Sequence, residues 1–521
     1  MKRFLQEKWK TKDIEFGVFL LFLLCMAVYY GWRLFALTPW YDELYTYYYF
    51  ISRGPVYAAI HWPLPNNHVG YSVLSGFLDL FGNSAIGLRG ISWMSSLVSI
   101  CLLFTIGKKC FPKGFAMVPV FFFCAMGLVN QLAVQGRGYA LSTCLYLTAF
   151  YELLQICQEK KKQNRHYFVF AIALVWALYT LPSSVYFVIP ICAVGGIVLL
   201  LQKRNREFIK LFITAIISAI STIVLYAVIW LAIGSNLLSK TDGSSFFGQG
   251  HVAIILHAPF KALQTGIRYM LDTPYIQSVG REGYLPLFGN WIKNLLDYYY
   301  RRLSIPLMVI IILGVLTVVW KIVRCKESRE KGMIEWFLLL SFVMTPLMLI
   351  LQASLPYYRV FSYFGIPVAL LVTWLFVQIL EIIRKPGLAY SVTLFAGALC
   401  VTILVFPGSR AQYGDREAAI EDAFSYMSPE PEDSICVTDC DQEYLLKYMY
   451  DIETVQYEPE GADYVLLDKT FVEIARKSEQ INSAEAWKYY LTPDEISMEE
   501  IEKAMEVCYE NNRFVLYRKR K

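Results

Sequence analysis

The sequence has little charge and few histidines. Of its 521 residues, 17% are charged, 56% are hydrophobic and only five are histidine. Soluble domains carry about 25% charged residues. The composition therefore excludes a soluble enzyme, a disordered chain and a nucleic-acid-binding module, so we expect no nucleic-acid partner.

The sequence also lacks the patterns that mark disulfide, zinc and glycosylation sites. Twelve cysteines in 521 residues are too dilute for a disulfide framework, and no CxxC pair occurs. Cys436 and Cys440 are spaced i, i+4 across a predicted strand-to-helix turn, but a metal site needs more ligands. No Asn-x-Ser/Thr sequon occurs, which disfavours a glycosylated lumenal protein. We expect a bacterial plasma membrane, with an ER membrane as the alternative.

The charge that is present is unevenly distributed. Residues 408–521 hold 26 Asp and Glu against 13 Lys and Arg, a net charge of −13, whereas the first 407 residues hold 17 against 35, a net charge of +18. The sequence therefore predicts two domains: a basic membrane domain over 1–407 and an acidic polar domain over 408–521.

Long apolar runs predict an α-helical polytopic membrane protein. The run 16–37 is long enough to span a bilayer and has no obvious small-residue cleavage site, so we expect a retained helix rather than a removed signal peptide. Pro182 separates two runs and predicts a tight hairpin or a kink. We expect about eleven spans, over 16–37, 85–107, 114–131, 139–157, 167–181, 183–201, 209–233, 304–323, 334–354, 360–383 and 389–407.

The basic residues indicate the orientation of these helices. If the N-terminus is cytoplasmic, every predicted inside loop is basic and the short outside loops carry few positive charges, as the positive-inside rule requires. The extracytoplasmic face then holds the loops 38–84 and 234–303 and the tail 408–521. The stretch 69–82 in the first of these loops is semi-apolar and is interpreted as interfacial rather than spanning.

The tail is predicted to be a small α/β domain. SICVTD (434–439), ADYVLLD (462–468) and RFVLYR (513–518) are typical of strands. EEIEKAMEVCYEN (499–511) has the periodicity of an amphipathic helix.

The polar residues that could take part in catalysis or binding lie at the predicted outer edge of the membrane. A carboxylate, an imidazole and two guanidinium groups on one membrane face could abstract a proton and bind a phosphate. The candidates are Asp42, Glu43, His61, His68, Arg137 and Arg359.

Each candidate also has a structural interpretation. The acidic pair is flanked by Trp40 and several tyrosines, which fit an interfacial belt as well as sugar-stacking faces. His68 could satisfy a turn, and the two arginines could anchor to lipid head groups. The net positive loop 234–303 could attract an anionic head group or form a plain lid. The ordered set is more specific than any single member.

The ordered set resembles the polytopic glycosyltransferases of the GT-C fold that use lipid-linked sugars, especially the protein O-mannosyltransferases and bacterial aminoarabinose transferases (glycosyltransferase family 39). The resemblance covers most of residues 1–400 and leaves the tail outside. It rests on YDE (41–43), PLPNNHVGYSVL (63–74), FGNSAIGLRGISWMSSL (81–97), QGRGYAL (135–141) and YYRVFSYFGIPVALL (357–371).

The resemblance implies a sugar donor on a polyprenyl or dolichyl phosphate, surrounding membrane lipid, and a protein, lipid or glycan acceptor. It implies no nucleotide cofactor. It leaves a divalent metal open, because the histidine-proline motif of the eukaryotic O-mannosyltransferases is present only as the looser PLPNNH. The implied roles are Asp42 as catalytic base with Glu43 as second candidate, Arg137 and Arg359 at the donor phosphate, and Asn67, His68 and Tyr139 at the substrate.

Two other functions compete with transfer. A transporter or flippase of lipid-linked sugars would have ionisable residues or broken helices near the bilayer midplane. The predicted helix centres are nearly free of charge, although Pro182, Pro190 and Pro346 allow broken helices. A receptor or scaffold would use the acidic tail, in which no motif marks a binding site. The ordered motifs favour the enzyme.

Overall fold

The chain divides into two compact units. The computed structural model describes residues 14–61, 67–158, 164–272, 283–353, 355–405, 414–477, 489–490 and 495–520. The helical unit comprises Met1–Leu34 and Phe50–Arg410, and the α/β unit comprises Phe35–Tyr49 and Ala411–Lys521.

The described chain up to residue 405 is helical, and α2 is its one helix that belongs to the α/β unit. In chain order the helices are α1 (Ile14–Ala36), α2 (Tyr41–Thr46), α3 (Pro55–Ile60), α4 (Val69–Asp79), α5 (Ser84–Cys110), α6 (Val118–Ala125), α7 (Gly127–Leu132), α8 (Tyr139–Gln158), α9 (Asn164–Thr180), α10 (Val185–Leu201), α11 (Asn205–Lys240), α12 (His251–His257), α13 (Pro259–Asp272), α14 (Tyr284–Tyr299), α15 (Ser304–Arg324), α16 (Lys326–Lys331), α17 (Met333–Gln352), α18 (Gly365–Ile382) and α19 (Ala389–Val405). A π-helical turn (Tyr47–Ile51) and 3₁₀ turns at Pro182–Ser184, Tyr358–Phe364 and Pro386–Leu388 join them.

Eight of the described helices are long and apolar enough to cross a membrane, which confirms an α-helical polytopic membrane protein. They are α1, α5, α8, α10, α11, α15, α17 and α18, where α10 and α18 are extended by their preceding 3₁₀ turns. All eleven predicted apolar runs fall on helices, but α9 and α19 have only 17 residues each. The number of about eleven spans is therefore not confirmed.

The predicted span 114–131 is two short helices. Met126 between α6 and α7 has extended backbone, with φ −68° and ψ 125°. A Cβ on the next residue, Gly127, would lie 3.0 Å from the carbonyl oxygen of Tyr298. The close packing of the end of α14 against this glycine accompanies the interruption, which hydrophobicity alone does not indicate.

The break at Pro182 separates two helices rather than kinking one. Leu181 is extended (φ −141°, ψ 112°), as expected for a residue before proline. The 3₁₀ turn Pro182–Ser184 then leads directly into α10.

The predicted loop 234–303 is largely helical. Helix α11 continues to Lys240, and α12, α13 and α14 follow. In α14 the buried positions Tyr284, Phe288, Trp291 and Leu295 recur every three or four residues, so one face of the helix packs inward.

The α/β unit contains a four-stranded sheet, which confirms the predicted small α/β domain. The strand order is β1-β2-β4-β3, with β1 parallel to β2 and the other neighbours antiparallel. Its elements are α20 (Asp415–Met427), β1 (Ile435–Cys436), α21 (Cys440–Tyr450), β2 (Tyr464–Asp468), α22 (Lys469–Lys477), α23 (Met498–Ala504), β3 (Met505–Glu510) and β4 (Phe514–Lys519).

The predicted helix over 499–511 is wrong in its second half. Helix α23 ends at Ala504, and MEVCYE forms β3 in a hairpin with β4. The side chain of Asn511 stabilises the turn, because its Oδ1 accepts the N–H groups of Arg513 (3.0 Å) and Phe514 (2.8 Å). Cross-strand pairing here overrides the local helical pattern.

One face of the sheet packs on α20 and α21 and on a residue from far away in the sequence. Leu44 of α2 is fully buried and belongs to the same apolar cluster as Ile420, Phe424, Leu446 and Phe514. The segment 35–49 therefore folds as part of the α/β unit, although it begins the first predicted outer loop.

Candidate active site

A buried histidine–arginine contact lies in the helical unit. His68 precedes α4 and is 5% exposed, and Arg137 precedes α8 and is 2% exposed. The Nη2 atom of Arg137 lies 3.2 Å from Nε2 of His68. Burying a guanidinium is costly unless hydrogen bonds or an anion compensate it.

Hydroxyl groups of α5 hold the irregular segment that carries Arg137. Ser92 donates to the carbonyl of Gln135 (2.5 Å), and Ser96 donates to the carbonyl of Ala133 (2.8 Å). The Ser92 hydroxyl also lies 3.1 Å from the Tyr71 hydroxyl of α4. These bonds satisfy carbonyls that no helix pairs, and they link the motif 81–97 to the motif 135–141.

Gly138 positions His68 through its backbone. Its N–H donates to Nδ1 of His68 at 2.8 Å. A Cβ at this residue would lie 2.5 Å from Cγ2 of Thr180 and 3.2 Å from Nδ1 of His68. The close approach explains why a glycine follows Arg137.

The hydrogen bond from Gly138 determines the tautomer of His68. Burial, together with the charges of Arg137 and Arg359, lowers the pKa of His68 well below its usual range, so the imidazole is neutral at pH 7. Because Nδ1 accepts, the proton lies on Nε2. In this tautomer the 3.2 Å contact between Nε2–H and the guanidinium of Arg137 joins two donors, and an anionic oxygen that accepts from both would relieve it.

Arg359 acts on the same histidine. It lies in the 3₁₀ turn Tyr358–Phe364, and its guanidinium stands 4.5 Å from the ring centroid of Tyr357. Its charge contributes to the lowered pKa of His68. Two arginines that are far apart in the sequence thus both lower the pKa of His68.

An apolar cavity of about 360 Å³ begins in the turn that carries Arg359. Phe361 and Phe364 of this turn line it, with Trp291 and Leu295 of α14 and further apolar residues of α15 and α17. Thr345 is the one polar residue among the described lining residues. The cavity is suited to a hydrocarbon chain.

The remaining predicted substrate residues have different surroundings. The rings of Tyr139 and His68 form a T-shaped pair with their centroids 5.0 Å apart. Asn67 donates to the carbonyls of Ala58 (3.0 Å) and His61 (2.6 Å), so its amide nitrogen holds the loop together. Its contact with a substrate stays a prediction. The residues 63–66 of the PLPNNH motif lie outside the described residues.

His61 lies in other surroundings. Its ring stacks on Tyr57 with the centroids 4.2 Å apart. It lines another cavity, of about 630 Å³, together with Lys240 and His251.

The two acidic candidates lie in the α/β unit and have different surroundings. Glu43 is 1% exposed, and its Oε2 accepts the N–H of Trp40 at 3.3 Å, a capping interaction at the start of α2. Asp42 is half-buried, and its backbone carbonyl accepts the Thr46 hydroxyl at 2.7 Å. Burial, with nearby Cys440, Tyr45, Asp441 and Asp42, raises the pKa of Tyr41.

Sequence reasoning gave no role to Ser92, Thr180 or Glu417. Ser92 lies inside the motif 81–97, so the sequence could have indicated it as a site residue. Thr180 packs on Gly138, and Glu417 accepts the N–H of Tyr41, 376 residues earlier in the sequence. No spacing in the sequence indicates either contact.

Metal ligands were a further question left by the sequence. Among the residues that the structure describes, no group of three or more His, Cys, Asp or Glu side chains is close enough to hold a metal ion. We therefore assign no described residue to a metal.

Comparisons with known proteins agree with these features. A sequence model of the dolichyl-phosphate-mannose-protein mannosyltransferase family matches residues 68–231, which contain His68, Arg137 and Tyr139. Curated protein sequences give no match.

Solved structures match over nearly the whole chain. ArnT from Cupriavidus metallidurans matches in its apo state with a TM-score of 0.54 and bound to undecaprenyl phosphate with 0.53, each at 12% identity over 97% of this chain and 98% of ArnT. The oligosaccharyltransferase of Archaeoglobus fulgidus, in complex with zinc and sulfate, matches with 0.50 at 12% identity, over 87% of this chain and 68% of its own. These likenesses confirm the predicted GT-C-type fold.

Proposed function

We propose that the protein transfers a sugar from a polyprenyl-phosphate donor to a hydroxyl group of an acceptor at the extracytoplasmic face of a bacterial plasma membrane. The observation that carries the proposal is the buried donor pair, Nε2–H of His68 beside the guanidinium of Arg137. A phosphate oxygen can accept from both donors, one of which is charged. The charge of Arg359 adds to the attraction.

The apolar cavity supports a lipid carrier for that phosphate. Its lining begins at Phe361, two residues after Arg359 in the same turn. Burying a hydrocarbon chain stabilises a complex by about 0.8 kcal/mol per methylene group. A polyprenyl chain in the cavity would place its phosphate end near Arg359. A free sugar phosphate would have no use for such a cavity.

The transfer is a direct displacement. The acceptor hydroxyl oxygen attacks the anomeric carbon, the bond from that carbon to the phosphate oxygen breaks, and polyprenyl phosphate leaves with the electron pair. Asp42 takes the hydroxyl proton. Arg137 and Arg359 stabilise the negative charge that develops on the leaving phosphate. His68 is neutral and donates a hydrogen bond rather than a proton.

The surroundings of the two acids support Asp42 as the base. The Glu43 carboxylate already accepts a backbone N–H at the start of α2, and this bond fixes its direction. Asp42 is half-buried, whereas Glu43 is 1% exposed. Tyr139, in contact with His68, is proposed to contact the sugar.

The test is to incubate the purified protein with lipid extracts of bacterial membranes and to follow polyprenyl-phosphate sugars by mass spectrometry. We expect one of them to be consumed while polyprenyl phosphate accumulates. If a lipid-linked sugar instead crosses the bilayer of reconstituted vesicles unconsumed, the protein is a flippase and the proposal is wrong.

Arginine variants test the phosphate site. Arg137→Ala removes a buried charged donor, which costs about 1.5–3 kcal/mol, roughly a tenfold to hundredfold loss of polyprenyl-phosphate affinity. Arg359→Lys keeps the charge but loses the planar fork and should lower turnover. The matched control is Arg268→Lys, on the exposed surface of α13. Unchanged donor kinetics in both site variants would contradict the assignment.

A further inference from the structure

The segment that carries Asp42 is part of the core of the C-terminal domain. Leu44, in the middle of α2, is fully buried against a cluster that includes Ile420 and Phe424 of α20 and Leu446 of α21. A six-residue helix is too short to be stable alone. Its conformation therefore depends on the tail.

Helix α20 holds the start of α2 through two carboxylates. The backbone N–H of Tyr41 donates to Oε1 of Glu417 at 2.9 Å. The hydroxyl of Thr38 donates to Glu421. Glu417 and Glu421 are four residues apart and so lie on the same face of α20. The first N–H groups of a helix have no partner within it, and Glu417 supplies one to Tyr41.

Buried ion pairs fix the turn that presents Glu417. Its neighbour Arg416 is 7% exposed and pairs with Asp439 (2.5 Å) and with Asp441. Asp439 also accepts the N–H groups of Asp441 (3.0 Å) and Gln442 (3.1 Å), and so caps α21. These ion pairs hold the first turns of α20 and α21 together, and Glu417 is the residue next to Arg416.

Tyrosine rings of α21 contact the same segment. Tyr444 packs on Tyr41 with the ring centroids 6.1 Å apart and on Tyr48 at 5.8 Å. Tyr448 meets Tyr47 edge-to-face at 5.5 Å. Contacts before, within and after α2 therefore restrict both its position and its rotation.

From these contacts we infer that the C-terminal domain is a positioning device for the acidic segment, with Glu417 as its positioning residue. The inference rests on the proposed function in one respect, the role of Asp42 as base. Glu417 is not itself catalytic, since its carboxylate binds the backbone of Tyr41. Its loss should free the start of α2 and misdirect Asp42 without affecting the donor site.

The test uses the full-length protein in detergent. In Glu417→Ala, backbone amides of 41–46 should exchange with deuterium at least tenfold faster, while those of β2 stay protected. Turnover should fall at least tenfold with unchanged polyprenyl-phosphate affinity. Glu417→Gln keeps an acceptor oxygen and should restore both readouts. Glu473→Ala, on an exposed face of α22, is the matched control.

A second variant keeps the inference testable if Glu417→Ala fails to fold. Thr38→Ala removes the neighbouring contact from the other side of the interface and should give faster exchange over the same amides. Wild-type exchange over 41–46 in both alanine variants overturns the inference, whether or not any activity is found.

Turnover separates the inference from the proposed function. If Asp42→Asn abolishes turnover while Glu417→Ala leaves it unchanged, positioning by the tail is wrong. If Asp42→Asn itself has no effect while exchange over 41–46 increases in Glu417→Ala, the role of Asp42 fails and the structural coupling stands.

Discussion

The contact between Gly138 and Thr180 makes the histidine–arginine site testable by one methyl group. In Gly138→Ala the new Cβ would lie 2.5 Å from Cγ2 of Thr180 and 3.1 Å from Cβ of His68. Both distances are shorter than van der Waals contact, so the backbone or the imidazole must move. Overpacking of this kind costs about 1–3 kcal/mol.

The displacement also breaks the hydrogen bond from the backbone N–H of Gly138 to Nδ1 of His68, on which the tautomer assignment rests. Losing one partner of a buried hydrogen bond costs about 1–3 kcal/mol. We expect the affinity of Gly138→Ala for polyprenyl phosphate, measured by calorimetry in detergent, to fall roughly fivefold to a hundredfold. The thermal midpoint should also fall.

Thr180→Ser supplies the rescue, because serine lacks the Cγ2 methyl. The double variant Gly138→Ala/Thr180→Ser should recover most of the affinity. Gly70→Ala is the matched control. Its Cβ would lie 2.6 Å from Oγ1 and 3.2 Å from the backbone nitrogen of Thr180, atoms that serine retains. Wild-type affinity in Gly138→Ala, or equal rescue of both alanine variants, would refute the reasoning.

Three further predictions concern the acids, the histidine and the orientation. Asp42→Asn should lower turnover by about 10²–10⁴ at unchanged donor affinity, and Glu43→Gln should cost less turnover but lower the thermal midpoint; the opposite ranking would exchange their roles. His68 has a lowered folded pKa, so below pH 6.5 the unfolded chain binds a proton that the folded protein does not. Stability should therefore fall from pH 6.5 to 5, and this slope should decrease in His68→Gln. In intact cells an impermeant maleimide should label an introduced Glu473→Cys but not Cys325; the reverse pattern would invert the topology.

Burial changes the choice of thiol for the orientation test. Cys440 in the tail is 8% exposed and would react poorly. Hydrogen bonds from Ser328 lower the pKa of Cys325, so this thiol reacts readily wherever reagent reaches it.

The sequence predicted the helical architecture well because apolar runs of about 20 residues have one simple solution in a membrane. It missed helix α14, although Phe288, Trp291 and Leu295 follow a helical period inside a stretch interpreted as a loop. It missed β3, because a helical pattern over 499–511 continues across a boundary that only pairing with β4 creates.

The site was predictable to the extent that short motifs carry it. Motif order indicated His68, Arg137 and Arg359; the first two are in contact at 3.2 Å, and the roles of all three stay predictions. Leu44 shows why the rest was not: a single leucine among acidic and aromatic residues contains no information about the distant helices that bury it.

The burial of Leu44 with Phe514 has a consequence for biosynthesis. A ribosome adds about 5–20 residues per second, so roughly half a minute to a minute and a half separates the synthesis of these two core residues. Throughout that interval the segment 35–49 has emerged from the ribosome without its partners. A nonsense codon or proteolytic cut before β4 would therefore remove part of the core that buries Leu44. We expect such truncated molecules to insert their membrane helices while the segment 35–49 stays unfolded.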